Sequence, residues 1–253
     1  GMFFAFEEMR SPLGLPLLVF AALSAVGAWA ALFLFFDFGP VFPFAVWKDA
    51  ELPQYGLALG MGVLCGLVGL LYNAVIMHLT LWQDSLSGLP PWLRSAFPFG
   101  VSALLLAVAP RLVGGVGVET LDLASPVLLG NGLGFLLCLL LGKIAFSGLS
   151  FASGVAGGLL MPMLLAGSLL GACVASPLLE QGWLHADEIP LLLVLGMGGM
   201  FAATVRAPLT GTALVVEMAR CPFSAPAVLL TAFTASLVAS RLGGEPVYDG
   251  LKR

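Results

Sequence analysis

The stretch SFASGVAGGLLMP, residues 150–162, decides how this chain is read. It holds Gly154, Gly157 and Gly158, no charge, and a proline at its end. An apolar run lies before it, and another continues after it through Met163, Leu164 and Leu165. Pro162 is acceptable in the first turn of a helix, where its missing N–H removes no hydrogen bond. The pattern therefore predicts a helix that starts near residues 159–161, preceded by a glycine-rich loop. The N–H groups of a helix's first turn have no partner within the helix. Away from water each unsatisfied group is costly, so something must accept from them. An anion does so well, because the free donors and the positive end of the helix dipole point at it together. It also needs no lysine, whose full charge would hold an ion too tightly for rapid passage. A glycine-rich helix-packing motif is the other reading these residues allow.

The argument depends on depth in a membrane, and the composition supplies it. Of 253 residues, 60% are hydrophobic and 9% charged, and the mean hydropathy is +1.05. Soluble domains carry roughly 25% charge. This is an integral membrane protein. The net charge of −4 forms no patch, and no basic stripe points to nucleic acid. Cys65, Cys138, Cys173 and Cys221 are far apart and lie in or beside apolar segments, so they read as small packing residues. With His78 and His185 equally isolated, neither a metal site nor a cofactor is expected. No positive n-region opens the chain, so no signal peptide is expected.

Moving outward, residues 15–36, 55–80, 96–112 and 127–146 read as spans, the last with Lys143 near its end. Glycines at 56, 60, 62, 66 and 69 favour close helix approach in the second span. The connection 37–53 carries Trp47 as an interfacial anchor, and 114–125 reads as a glycine-rich loop. Beyond residue 150 the apolar segments 158–179, 189–205, 208–218 and 225–241 are separated by Gly or Pro rather than by polar loops. Several look too short to cross about 30 Å of hydrocarbon upright. Interrupted apolar segments of this kind mark the broken helices of transporters and channels. Lys252 and Arg253 read as a cytoplasmic C-terminus, with no soluble domain after it.

A second stretch, MGGMFAATVRAPLTG at 197–211, repeats the device, with Pro208 as a helix starter after Arg206-Ala207. Arg206 is either a functional intramembrane cation or, more plainly, a cap on a helix C-terminus. There is also an internal echo. GMFFAFEEM and GTALVVEMA each place a Glu six residues after a Gly, with Met close by: Gly1 and Glu7, Gly211 and Glu217. If the echo marks two related halves, most of the first half lies upstream and this chain is a C-terminal half.

At these residues the chain resembles the CLC chloride channels and chloride/proton antiporters. GVAGGLLMP (154–162) is similar to the family's GxFxP-type motif. GMGGMFAATVRAPLTGTALVVEMA (196–219) is similar to the segment that follows it. GGEPVYDGL (243–251) resembles the terminal tyrosine motif, and FAFEEMR (4–10) the end of the first repeat. The resemblance implies an all-α polytopic membrane protein of tilted and broken helices, the second inverted repeat of a CLC-type fold. Residues 1–14 would end the first repeat, and 15–253 would form the C-terminal membrane repeat. It implies chloride bound by the backbone N–H groups of Leu159 and Leu160, with Gly158 beside them and the Tyr248 hydroxyl reaching the same ion. Leu160 departs from the family's phenylalanine; the N–H survives the change, whereas the ring lining the pathway is lost. The family's serine loop and gating-glutamate loop belong to its first half and are not seen here.

The second glutamate of the FAFEEMR pair resembles the antiporters' internal proton-transfer site, so Glu8 is the candidate for proton transfer. The plain alternative is a solvated helix end with Arg10 nearby; Glu217 reads as structural. The resemblance implies chloride/proton antiport by a homodimer in a bacterial inner membrane. The only bound groups implied are chloride ions, and a missing N-terminal half would be a partner. An uncoupled anion channel, a fluoride exchanger and an inactive truncated fragment are the alternatives. An enzyme is not expected, because Ser147, Ser150 and Ser153 face no histidine in a nucleophile-elbow pattern.

Overall fold

The computed structural model describes Glu7 and residues 15–35, 41–42, 52–86, 88, 90–108, 130, 132–154 and 157–250. Glu8, Trp47, the 114–125 loop, Lys252 and Arg253 lie outside the described residues. All regular elements among the described residues are helical. They are α1 (Leu15–Phe35), α2 (Leu52–Ser85), α3 (Pro91–Val108), α4 (Leu133–Ala152), α5 (Leu160–Glu180), α6 (Ile189–Val205), α7 (Pro208–Ala219), α8 (Ala225–Arg241) and the single turn α9 (Val247–Gly250). Short 3-10 turns, Ala186–Glu188 and Pro222–Ser224, lead into α6 and α8.

The centre of the fold is α6. Its sequence, IPLLLVLGMGGMFAATV, is apolar all round, and every residue but Pro190 is buried. A helix without a polar face belongs inside a larger assembly. It packs against α5, α8, α2 and α7. Contact with α5 is backbone to backbone: a Cβ at Gly167 would collide with the Gly196 carbonyl, and one at Gly171 with that of Leu192. Small residues permit this approach, which supplies the packing that the hydrophobic effect cannot drive between helices in lipid. Of the glycines expected to pack in α2, three do so. A Cβ on Gly69 would lie 2.5 Å from Ala203 Cβ, on Gly62 2.6 Å from Thr234 Cβ, and on Gly66 2.7 Å from Val238 Cγ1. Gly56 and Gly60 face open space. Two polar contacts tie the same interfaces: Thr231 Oγ1 donates to the Ala58 carbonyl at 3.0 Å, and the Cys65 thiol to that of Gly196 at 3.7 Å.

Two expectations are corrected. The segments after residue 150 are mostly not short, because 3-10 turns lengthen two of them at their starts. Leu160–Glu180, Ala186–Val205 and Pro222–Arg241 join Leu52–Ser85 and Leu133–Ala152 as helices long and apolar enough to cross a membrane. Pro208–Ala219, at 12 residues, is the short one of that group. Nor does Lys143 lie near a helix end. The small residues of SGLSFA carry α4 on to Ala152, leaving Lys143 mid-helix and buried. Three of the four cysteines are buried, Cys138 is exposed, and all four are free thiols.

Candidate functional site

The break between α4 and α5 starts at Gly154. Its φ of +72° lies in the left-handed region where glycine alone is unstrained, and its N–H closes α4 on the Phe151 carbonyl at 3.4 Å. Ser153 Oγ bonds the Ser150 carbonyl at 2.7 Å, and Ser95 of α3 reaches across to the Ser153 carbonyl at 3.0 Å. A Cβ on Gly154 or Gly158 would meet nothing within 4 Å. Among the described residues, these two glycines therefore do not serve helix packing. They leave the backbone open on that side, and Gly157 and Gly158 are exposed.

The helix α5 begins at Leu160 with Leu159 as its N-cap, where the pattern of the stretch predicts it. Leu159 offers no side-chain acceptor, so its own side chain does not cap the helix. Its first backbone bond runs from Met163 N–H to the Leu159 carbonyl at 3.1 Å. Among the described residues, no backbone carbonyl accepts from the N–H of Leu159 or Leu160. Leu159 is buried and Leu160 half-buried, while Pro162 occupies the first turn at no cost in hydrogen bonds.

The α6–α7 break is built differently. Arg206 holds φ +67° and closes α6 through its N–H to the Ala202 carbonyl at 3.0 Å. Its guanidinium donates to the Ala203 carbonyl and, at 3.2 Å, to the Gly244 carbonyl. Arg206 is thus the C-terminal cap, the plainer of its two readings. Pro208 opens α7, and a carboxylate already sits on that helix start. Glu7 accepts from Leu209 N–H at 2.9 Å, from Thr210 N–H at 2.7 Å and from the Thr210 hydroxyl at 2.7 Å. This is the helix-terminus anion arrangement with the anion supplied by the chain itself.

Tyr248 lies on α9, half-buried against the core. A run of contacts ties its segment to the first turn of α5. The Thr204 hydroxyl contacts Met163 Sδ at 3.2 Å. Asn73 Nδ2 donates to the Thr204 carbonyl at 3.1 Å and to the Glu245 carbonyl at 3.0 Å. The buried Tyr72 lies near Tyr248 and faces Ser147 of α4. Leu159, Leu160, Gly158 and Tyr248 therefore share one end of the α5–α6 core, whereas Glu7 sits at the start of α7.

A model of the family described as voltage gated chloride channel matches residues 1–240. The chain belongs to that family. Among its CLC relatives, the H(+)/Cl(-) exchange transporter ClcA of Vibrio cholerae is 34% identical over 99% of this chain and 54% of its own length. That of Vibrio parahaemolyticus is 33% identical, with the same coverage of both chains. An X-ray structure of a slow cyanobacterial Cl-/H+ antiporter superposes with a TM-score of 0.80 at 25% identity, covering 99% of this chain and 59% of the other. The chain spans about half the length of the curated relatives it matches. With five helices able to cross a bilayer and bacterial relatives, this CLC protein is a multi-pass inner-membrane protein.

Sequence reasoning missed Tyr72, Asn73 and the capping role of Glu7. The first two carry a usable signal: a polar pair in the middle of a long apolar helix, where polar side chains are expensive. The Glu7 contact pairs residues about 200 positions apart, and no local pattern encodes it.

Proposed function

We propose that this chain is the C-terminal membrane repeat of a CLC subunit that exchanges chloride for protons across the bacterial inner membrane, working as a homodimer. A first repeat, bringing the serine and gating-glutamate loops, completes the pathway. The anion rests on the N–H groups of Leu159 and Leu160. Gly158 keeps the approach free of side chains, and the Tyr248 hydroxyl supplies a third donor. Binding by neutral dipoles holds a dehydrated chloride while leaving it free to depart. Glu8 takes and releases the proton; a carboxylate in apolar surroundings is more readily protonated, which suits a relay. No covalent chemistry is required, so the protein is a transporter rather than an enzyme.

The observation that carries this reading is the contrast between two helix starts. The first turn of α7 holds a carboxylate, whereas the first turn of α5 follows three glycines and has an N-cap leucine that makes no side-chain cap bond. Bromide soaked into crystals of the membrane-purified complex should give anomalous density beside Leu159, Leu160 and Tyr248; density elsewhere only would reject the site. For coupling, Glu8→Gln in liposomes carrying a pH-sensitive dye should abolish proton movement while anion flux continues. Unchanged proton pumping by the variant would remove Glu8 from the relay.

A further inference from the structure

The Tyr248 turn is held by a short strap, residues 243–246, and the strap has an unusual seat. It leaves α8 through Gly243 at φ +75°, and the Gly244 N–H returns to the Ala239 carbonyl at 3.2 Å. From there it lies against two other helices. A Cβ on Gly244 would collide with Leu70 of α2 and lie 2.9 Å from Arg206 Nη2, so the backbone is pressed into its groove. Two side chains grip consecutive carbonyls of the strap: Arg206 Nη2 takes Gly244 at 3.2 Å, and Asn73 Nδ2 takes Glu245 at 3.0 Å. Each side chain also grips the end of α6, Arg206 at the Ala203 carbonyl and Asn73 at the Thr204 carbonyl. Both partners of Asn73 Nδ2 are carbonyl acceptors, which fixes the orientation of the amide. It does so although Asn73 Oδ1 is left buried without a partner.

We propose that Asn73 and Arg206 are positioning residues for Tyr248. They clasp the strap to the C-terminal end of α6 and so fix where the Tyr248 hydroxyl stands relative to the first turn of α5. The far side of the same joint is Thr204, whose hydroxyl touches Met163 in that turn. One rigid joint therefore registers both halves of the anion site, the amides on α5 and the phenol on α9. A donor with one polar atom is useful only when held within a few tenths of an ångström, and a single-turn helix cannot supply that stiffness by itself. The effect on anion binding rests on the reading of Tyr248 as an anion ligand; the clasp itself does not.

The test uses the membrane-purified complex labelled with 3-fluorotyrosine, the Tyr248 fluorine resonance being assigned by its loss in Tyr248→Phe. Two variants open the clasp from different sides. Asn73→Leu removes both amide hydrogen bonds at similar volume. Arg206→Gly removes both guanidinium bonds while keeping a residue at ease with positive φ, so the α6 cap survives even if the first variant folds poorly. In both, the Tyr248 resonance should shift or split, and the bromide Kd by calorimetry should rise by up to about fivefold, no more than loss of the hydroxyl itself gives. In a Tyr248→Phe background, Asn73→Leu should raise the Kd no further, because residues acting through one contact are not additive. An unchanged Tyr248 resonance in both variants overturns the proposal whatever the affinity does. A displaced resonance with unchanged bromide affinity leaves the clasp standing and instead removes Tyr248 from the anion site.

Discussion

Two helix starts in this molecule present the same chemistry and resolve it in opposite ways. Both α5 and α7 begin after a break between helices, each has a proline in its first turn, and each presents first-turn N–H donors. At α7 the Glu7 carboxylate accepts three hydrogen bonds and the demand is met from within the chain. At α5 the N-cap is a leucine with no side-chain acceptor, and among the described residues nothing approaches Gly158 before it. The first is a structural joint, closed by a tethered anion. The second is suited to an anion that comes and goes. On the proposed function, the two differ in whether the counter-charge is covalently attached, not in the helix terminus.

The largest expected effect breaks the closed start. Glu7→Ala leaves two partly buried N–H groups and a hydroxyl without their acceptor, and should destabilise the detergent-solubilised complex by about 2 kcal/mol. Glu7→Gln, which keeps one acceptor oxygen, should lose less than the alanine variant. A melting series read by size-exclusion chromatography checks both. If α7 is a true counterpart of α5, added chloride should raise the melting temperature of Glu7→Ala more than that of the parent, because the vacated donors become an anion site.

An amide-to-ester exchange sharpens the comparison next. Replacing the Leu160 peptide nitrogen by oxygen deletes one donor and leaves the side chain intact; bromide affinity should fall about tenfold with little change in melting. The same exchange at Leu209 should do the reverse, lowering the melting temperature and sparing bromide affinity. Equal effects at the two positions would erase the distinction drawn here. Tyr248→Phe removes the hydroxyl proposed as the third anion donor and should weaken bromide binding about fivefold by calorimetry. The smallest effect is Leu160→Phe, which introduces the ring that the family resemblance implies but alters no donor. Bromide affinity should stay within about twofold, while the unitary transport rate measured in liposomes changes.

Much of this was legible in the residues. The apolar runs, the glycines of 154–158 and the prolines at 162 and 208 located the start of α5 and that of α7, because helix termini are governed by local backbone chemistry. The bounds of α6 could be read from sequence for the same reason. Where the reading fell short, the missing information was long-range. The mid-helix, buried position of Lys143 depended on small residues continuing α4, which hydropathy alone does not register. Asn73 showed its importance only once Thr204 and Glu245, 131 and 172 residues away, were seen on either side of its amide. Arg206 could be a functional cation or a cap until its guanidinium was found on the Ala203 and Gly244 carbonyls.

By itself the sequence determined that the chain is a membrane protein of interrupted helices and where its backbone donors emerge, since hydropathy and helix-end chemistry act over a few neighbouring residues. Only the tertiary structure decided which of those donors are already satisfied. A carboxylate meeting a helix start about 200 residues away in sequence, or an amide bridging two chain segments, is fixed by packing, which no local pattern records.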